Sequence, residues 1–372
     1  MFTCTVGLLS GFGTWDGTSV HDPHIHDPGI QYEPLAFAEE AAPKLQGPQQ
    51  TEWYECVETE HDNLRGALEW ALNTEEDAGR AAPSGEAALC LVKALKLFWC
   101  LRGYFAEGQG WVLRALERGV LASPALRARA LNTGGVLAWF QADYALLRRS
   151  CEQTLVLAKA GEDHWSHAAA LILLGSGAAQ EGDGARATLL LEQSILMAQE
   201  VGDPWLIAQS LHHSAVNAFY GDDLARATAY ADGALAVSRR AGDTWTSALA
   251  TRTQGFIALK RQEYAGATAA LQTAIRLYRA LGYKWGLAVC LEGLARIFHA
   301  QGSTDDAVRL CGAAEALREA TGMPRSPQER GNYDSAVAAM CAALGHAPFA
   351  VTWVEGRAMS LEEAIRCALH DP

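Results

Sequence analysis

Two clusters of side chains near the start of the sequence are of types that do chemistry. The first is His21, Asp22, His24, His26 and Asp27, all within the segment HDPHIHDP. Imidazoles two residues apart are able to share a metal ion. The surrounding Gly, Pro, Asp and Thr predict an irregular tail, in which no further residues would orient metal ligands. We therefore favour a solvated polar tail and keep metal binding by the tail as an alternative.

The second cluster is Glu58, Glu60, His61 and Asp62, whose types suit general acid–base catalysis. The cluster stands where a helical pattern begins, and Asp is a preferred residue at helix N-termini. We expect Asp62 to cap a helix over 63–72, and we interpret the neighbouring charges as the solvated start of that helix.

The sequence lacks the common catalytic motifs. It contains no P-loop, no H-E-x-x-H, no G-x-S-x-G and no G-x-G-x-x-G after a predicted strand. The nine cysteines form no C-x-x-C pair, which argues against a zinc or dithiol site. We predict a chain that is not an enzyme and that uses no cofactor and no metal.

Charge and hydropathy exclude two classes of partner. The net charge is -13 and positive residues form no cluster, so a phosphate-binding surface is not expected. No apolar stretch reaches the 18 residues of a membrane span, and the first residues lack the basic segment of a signal peptide. Together with unpaired cysteines, these features predict a cytoplasmic protein.

The elements that would position any site follow a strict period. Trp165, Trp205, Trp245 and Trp285 are 40 residues apart, and small residues recur in step from Ala187 onwards. A fixed period of this length is typical of stacked supersecondary units. Ala and Leu dominate the sequence, which favours helix. We predict an all-α, right-handed superhelix of about six tetratricopeptide-like helix pairs.

The pattern places the helix pairs as follows: 86–102 with 105–119, 125–141 with 144–160, 165–181 with 184–200, 205–220 with 223–241, 245–261 with 264–281, and 285–300 with 304–321. Gly135, Gly175 and Gly255 recur on first helices, where small residues let two helices approach closely. Gly is expected at the helix ends, and Asp or Ser is expected to cap the second helices. We expect the tryptophans to pack in the core against the preceding repeat.

The remaining segments are predicted to flank the repeats. The division is an irregular tail over 1–33, a helical cap and linker over 34–85, repeats over 86–322 and a helical cap over 323–372. Pro43 should end or kink the first helix. Helices are expected near 328–344 and over 348–356, and Ser360 with Glu363 forms a capping box for a last helix over 361–369.

Several segments carry a resemblance to a known family. They are AFAEEAAPKLQGP, EHDNLRGALEWAL, LFWCLRGYFAEGQGWVLRAL, GDDLARATAYADGALAVSRRAGD, LCGAAEALREATG and WVEGRAMSLEEAIRCAL. Over 34–369 the chain resembles the tetratricopeptide sensor region of large bacterial signal-transduction ATPases, the transcriptional regulators of the maltose-regulator and LuxR-type class. The ATPase and helix-turn-helix parts of such regulators have no counterpart in this sequence.

The resemblance implies a sensor or interaction module of a transcriptional regulator. Its partner would be a protein or peptide, or a small-molecule effector, and this chain would not itself bind nucleic acid. A free-standing scaffold or adaptor unrelated to transcription is the main alternative. A metal-binding accessory protein and a remnant without function also stay open.

Solenoids of helix pairs bind ligands in the concave groove lined by first helices. Projection of the repeats places these residues there: Arg129, Asn132, Trp139, Phe140, Gln180, Gln209, His212, Phe219, Tyr220, Arg252, Phe256, Lys260, Glu292, Arg296 and His299. We expect Arg252, Lys260 and Arg296 to hold a carboxylate, with aromatic neighbours holding an apolar group. The alternative is a solvated face with salt bridges to Glu263 or Glu292.

Overall fold

The computed structural model of the chain describes residues 28–73, 84–322 and 324–369. Every secondary-structure element in these ranges is a helix, which confirms the predicted all-α superhelix of stacked helix pairs. None of these helices has the length and apolarity to cross a membrane. The His21–Asp27 cluster and most of the predicted linker over 73–85 lie outside the described residues.

The repeats follow the predicted order. Half of the helix ends agree with the prediction, and the others are shifted by one or two residues. The first helices are α4 (Ser84–Ala94) continued by α5 (Lys96–Arg102), α7 (Pro124–Phe140), α9 (His164–Gln180), α11 (Pro204–Tyr220), α13 (Thr244–Lys260) and α15 (Lys284–Ala300). The second helices are α6 (Phe105–Arg118), α8 (Tyr144–Ala160), α10 (Gly184–Val201), α12 (Leu224–Ala241), α14 (Tyr264–Leu281) and α16 (Thr304–Thr321). The predicted single helix over 86–102 is interrupted at Leu95.

Three helices precede the repeats and three follow them. The first set is α1 (Pro28–Lys44), α2 (Gln50–Thr59) and α3 (His61–Asn73), and the last set is α17 (Pro327–Leu344), α18 (His346–Ala358) and α19 (Leu361–Leu369). Helix α1 begins six residues before the predicted start at Pro34, so the part of the tail from 28 onward is helical. Ser360 and Glu363 form the predicted capping box, in which the Glu363 amide donates to Ser360 Oγ and the Ser360 amide donates to the Glu363 carboxylate.

The prediction that Asp62 caps α3 is wrong, because the helix begins at His61, two residues earlier than predicted, and places Asp62 in its first turn. The exposed Asp62 carboxylate instead accepts from Arg65 Nη1 at 2.8 Å. His61 is buried, with its ring 4.4 Å from that of Tyr104 and its Nε2 3.1 Å from Glu107. The cluster therefore packs α3 against the first repeat.

The turn inside each helix pair repeats the same backbone conformation. A left-handed residue stands at Gly103, Ala142, Gly182, Asp222, Gln262 and Gly302, which follows the 40-residue period closely. Asp143, Asp183 and Asp223 then cap the second helices, as predicted, by accepting from backbone N–H groups. Ser303 makes no such side-chain bond, so the predicted cap at that position is wrong.

The two helices of a pair touch where the first helix carries a small residue. A Cβ at Gly175 would lie 2.7 Å from Leu191 Cγ, and a Cβ at Gly255 would lie 2.9 Å from the same atom of Leu271. The close neighbour is therefore a leucine one turn beyond the predicted small residue, since only the Ala187 carbonyl oxygen approaches Gly175, at 3.4 Å.

Both terminal segments fold back onto the middle of the superhelix. The buried Gln50 side chain donates to Asp243 Oδ1 at 3.0 Å and accepts from the Trp245 amide at 3.1 Å, which joins α2 to repeat five. Gln328 Nε2 donates to the Ala179 carbonyl at 2.5 Å, which joins α17 to repeat three. These contacts hold both terminal segments against the repeats.

We predict that Gly175→Val lowers the free energy of unfolding by about 1–3 kcal/mol, because the added atoms overlap Leu191 in a close-packed contact. Gly266→Val is the matched control, since a Cβ at Gly266 in α14 meets no atom within 4 Å. Denaturant unfolding of both variants checks the prediction. Equal stability of the two variants would contradict the packing described for the helix pair.

Candidate ligand cavity

The concave face encloses a cavity of about 420 Å³. Its wall is made by the first helices α5, α7, α9, α11, α13 and α15, together with the connection from α16 to α17 and the first turns of α17. A cavity of this size falls in the range that holds one small molecule. The repeat period explains its position, because the first helix of every pair faces the superhelix axis.

Most residues that the sequence places in the groove line this cavity. They are Asn132, Trp139, Phe140, Gln180, Gln209, His212, Phe219, Tyr220, Arg252, Phe256, Lys260, Glu292 and Arg296. Their positions follow the period, since Asn132, His212, Arg252 and Glu292 occupy equivalent sites of four repeats.

Two groove residues lie elsewhere. Arg129 forms a paired ion contact with Asp163, at 2.7 and 2.8 Å, and its guanidinium lies 4.1 Å from the Trp165 ring centroid. His299 Nδ1 lies 3.0 Å from Thr304 Oγ1 at the turn of repeat six. Both are near helix ends, where the projection from the helix crossing is least accurate.

Lys96, Val136, Ser176 and Val216 were not predicted from the sequence, and neither was the segment after the last repeat that forms the roof of the cavity. Lys96, Val136, Ser176, Val216, Phe256 and Arg296 all line the wall at intervals of 40 residues. Extension of that register to the first repeat would have identified Lys96. The roof residues Pro324, Ser326, Glu329, Asn332 and Tyr333 follow the last repeat, so no period points to them.

The tryptophans do more than fill the core. Trp205, Trp245 and Trp285 line the cavity, although each was expected to pack against the preceding repeat. Trp165 packs forward, because its ring stacks on Trp205 at 5.8 Å and its Nε1 donates to Asp203 of the next repeat. The Trp139 and Trp285 rings meet at 6.2 Å, which brings repeats two and six together.

The wall carries four cations and two carboxylates. Lys96 lies 4.7 and 4.9 Å from the ring centroids of Trp165 and Trp205, and burial lowers its pKa to about 8. Lys260 pairs with Asp222 at 2.7 Å. Arg252 and Arg296 form no ion pair with any residue that the structure describes. The predicted salt bridge from these arginines to Glu263 or Glu292 is therefore not made.

The Glu292 carboxylate belongs to a buried ion network beside the cavity. Its carboxylate accepts from Arg318 at 2.7 and 3.0 Å and from Arg325 Nη2 at 2.6 Å. Arg325 also pairs with Glu315 at 2.7 Å and lies over the Tyr333 ring. This network fixes the connection from α16 to α17, so it joins α15 on the cavity wall to the C-terminal helices.

Two adjacent imidazoles of α11 face the cavity near Arg252. Burial, and then the charge of Arg252, lower the pKa of His213 to about 4. Burial, His213 and Arg252 together hold the pKa of His212 well below its ordinary value. Both rings are therefore neutral at pH 7, and the positive charge beside them is that of Arg252.

No protein-family model matches the chain. Among curated proteins, the chain is similar to proteins named HTH-type transcriptional regulators from Mycobacterium bovis and Mycobacterium tuberculosis. The identity is 39% over 83 residues, which is 22% of this chain. The aligned part covers 9% of the length of each of these relatives.

Among solved structures, the chain is similar to a Rap protein in complex with the competence and sporulation factor. The TM-score is 0.50 at 12% identity, over 88% of this chain and all of that one. The apo form of RapI gives a TM-score of 0.47 at 13% identity, over 91% of this chain and 96% of that chain. The first similarity supports a shared helical-repeat fold.

We predict that the neutral histidines make stability fall as the pH drops. Because the pKa values of His212 and His213 are lowered by folding, the unfolded chain takes up protons first below about pH 6.5. The free energy of unfolding should fall by up to about 1.4 kcal/mol per pH unit for each imidazole between pH 6 and 4. Denaturant unfolding across this range measures the slope.

A His212→Gln, His213→Gln double variant should have a shallower slope than the wild type. Leu189→Gln, at an exposed position of α10, is the control and should leave the slope unchanged, because no titratable group is removed. A double variant with the slope of the wild type would show that these imidazoles are not buried as described.

Proposed function

We propose that this chain is a non-enzymatic binding module, that the cavity is its binding site, and that it serves as the sensor or interaction part of a bacterial transcriptional regulator in the cytosol. One observation carries the proposal. Arg252 is a buried cation on the cavity wall, only 8% exposed, and no described carboxylate forms an ion pair with it, the Glu329 carboxylate of the same wall acting on it only at longer range. A buried unpaired charge is costly to the fold, so its retention suggests use in binding.

The role in transcription is supported by the partial similarity to HTH-type regulators. The fold is also that of a Rap protein that forms a complex with the competence and sporulation factor. A binding role for the concave face of the present chain agrees with both similarities. We expect no direct contact with nucleic acid, because the net charge of the chain is -13.

A scaffold or adaptor unrelated to transcription is the second candidate. It is favoured by apolar side chains exposed on the second helices, where Val156 is 69% exposed and Leu189 and Leu196 are each 63% exposed. Such a protein would bind partners through its outer surface and would not depend on the cavity.

We predict that Val216→Trp abolishes the binding of a cavity ligand, because an indole at this wall position occupies the space of the ligand. Val156→Trp, on the exposed surface of α8, is the matched control. Each protein is incubated with a small-molecule extract of bacterial cells, and the retained compounds are identified by mass spectrometry. The wild type and Val156→Trp should retain a compound that Val216→Trp does not.

Equal retention by all three proteins would contradict the cavity as the binding site. Circular dichroism and denaturant unfolding of Val216→Trp establish that the variant is folded before the comparison is made. A protein partner that binds Val216→Trp as well as it binds the wild type would favour the scaffold function.

A further inference from the structure

The cavity wall contains more hydrogen-bond donors than acceptors without a protein partner. Buried N–H donors stand at Asn132 Nδ2, Trp205 Nε1, Trp245 Nε1 and Arg252 Nη1, and none of them has an acceptor among the described residues. The buried acceptor without a donor is Gln180 Oε1, and His212 Nδ1 takes either role according to its tautomer. Each of these atoms is itself buried behind the cavity surface, so the charge that a ligand must carry is set by the cations of the wall.

The charges of the wall point the same way. Arg252 lies 4.8 Å from the Trp285 ring centroid, a contact that does not neutralise it. Arg296 of α15 also forms no ion pair with a carboxylate in the part of the chain that the structure describes, and burial lowers its pKa. The two wall carboxylates are already used, Glu292 by Arg318 and Arg325 and Glu329 by the Ser326 amide. An anion that binds here would therefore meet free cations.

The residues that line the cavity favour a ligand with an apolar part. Trp205, Gln209, His212, Val216 and Tyr220 line the cavity along one face of α11, a length of about 22 Å. Indole and phenyl rings make much of the surrounding wall, from Trp139, Trp245, Phe256 and Trp285. Residues of α5 and of the connection to α17 also line the cavity. Its volume of about 420 Å³ suits one small molecule.

We propose that the ligand of this cavity is a small aromatic carboxylate, with its carboxylate on Arg252 and its ring against the aromatic wall. This inference rests on the proposed function, because it names the class of ligand for the same site. A carboxylate presents two acceptor oxygens to a planar guanidinium, which matches the free charge of Arg252 on the cavity wall. A neutral sugar, an amine or a peptide would each fit one of these features and fail another.

The test uses nine probes that separate the charge of the ligand from its ring. Phenyl, naphthyl and indolyl rings each carry a carboxymethyl, a carboxamidomethyl or an aminoethyl group. Binding is measured by saturation-transfer NMR and by titration. The carboxylate of at least one ring should bind the wild type at least tenfold more tightly than the amide of the same ring.

Arg252→Gln should remove that preference, because the amide side chain has no charge. Arg261→Gln is the matched control: Arg261 is exposed at the end of α13, bonds to the Leu224 carbonyl and lies outside the cavity wall. It should keep the full preference. Thermal unfolding of both variants establishes that they are folded.

The remaining results separate this inference from the proposed function. Amides or amines that bind as tightly as carboxylates, and that Val216→Trp excludes, would overturn the carboxylate assignment and leave the cavity as a binding site. A peptide or neutral compound retained from the cell extract would do the same. A panel in which no carboxylate binds would overturn the inference. If the extract also yields no compound that depends on the cavity, the proposed function falls as well.

Discussion

The close contact between the two helices of each pair is the constraint on which the rest of this structure depends. At Gly175 and Gly255 there is no room for a side chain, because a leucine of the second helix occupies the space. The first helices are thereby held at a fixed depth and rotation in successive repeats. Equivalent residues such as His212, Arg252 and Glu292 consequently face the same inner space. The regular spacing of residues on the inner surface is therefore set by contacts between the two helices of each pair.

An open solenoid would leave that inner surface as a groove, and the C-terminal segment changes it into a cavity, because the connection to α17 and its first turns join the wall. Gln50 joins α2 to the Asp243 turn, and Gln328 joins α17 to the end of α9. The ion network of Glu292, Arg318 and Arg325 holds the connection to α17, which forms the cavity roof, in position. A ligand that moved the roof would act on this network, and through it on the helices that follow the repeats.

The sequence predicted the helix pairs and placed thirteen residues correctly on the cavity wall, because both follow from a period that can be counted. The same reasoning placed Asp62 at a helix cap and Ser303 at another, and it failed there because a cap depends on local backbone geometry. Lys96 could have been predicted by extending the 40-residue period to the first repeat, but it was not. The roof residues Ser326 and Tyr333 could not be predicted from the period, since their position depends on a tertiary contact across the superhelix. Whether Arg252 is paired was equally a question for the structure.

The central claim is that Arg252 is kept for a ligand and not for the fold. The most direct test is the free energy of unfolding of Arg252→Met, which keeps the apolar stem and removes the charge. We predict a value within about 1 kcal/mol of the wild type or above it, because the buried charge loses only its contact with the Trp285 ring and no ion pair. Arg318→Met, which breaks the pair with Glu292, should cost about 3 kcal/mol or more. An Arg252→Met variant as unstable as Arg318→Met would contradict the claim and make Arg252 a structural residue.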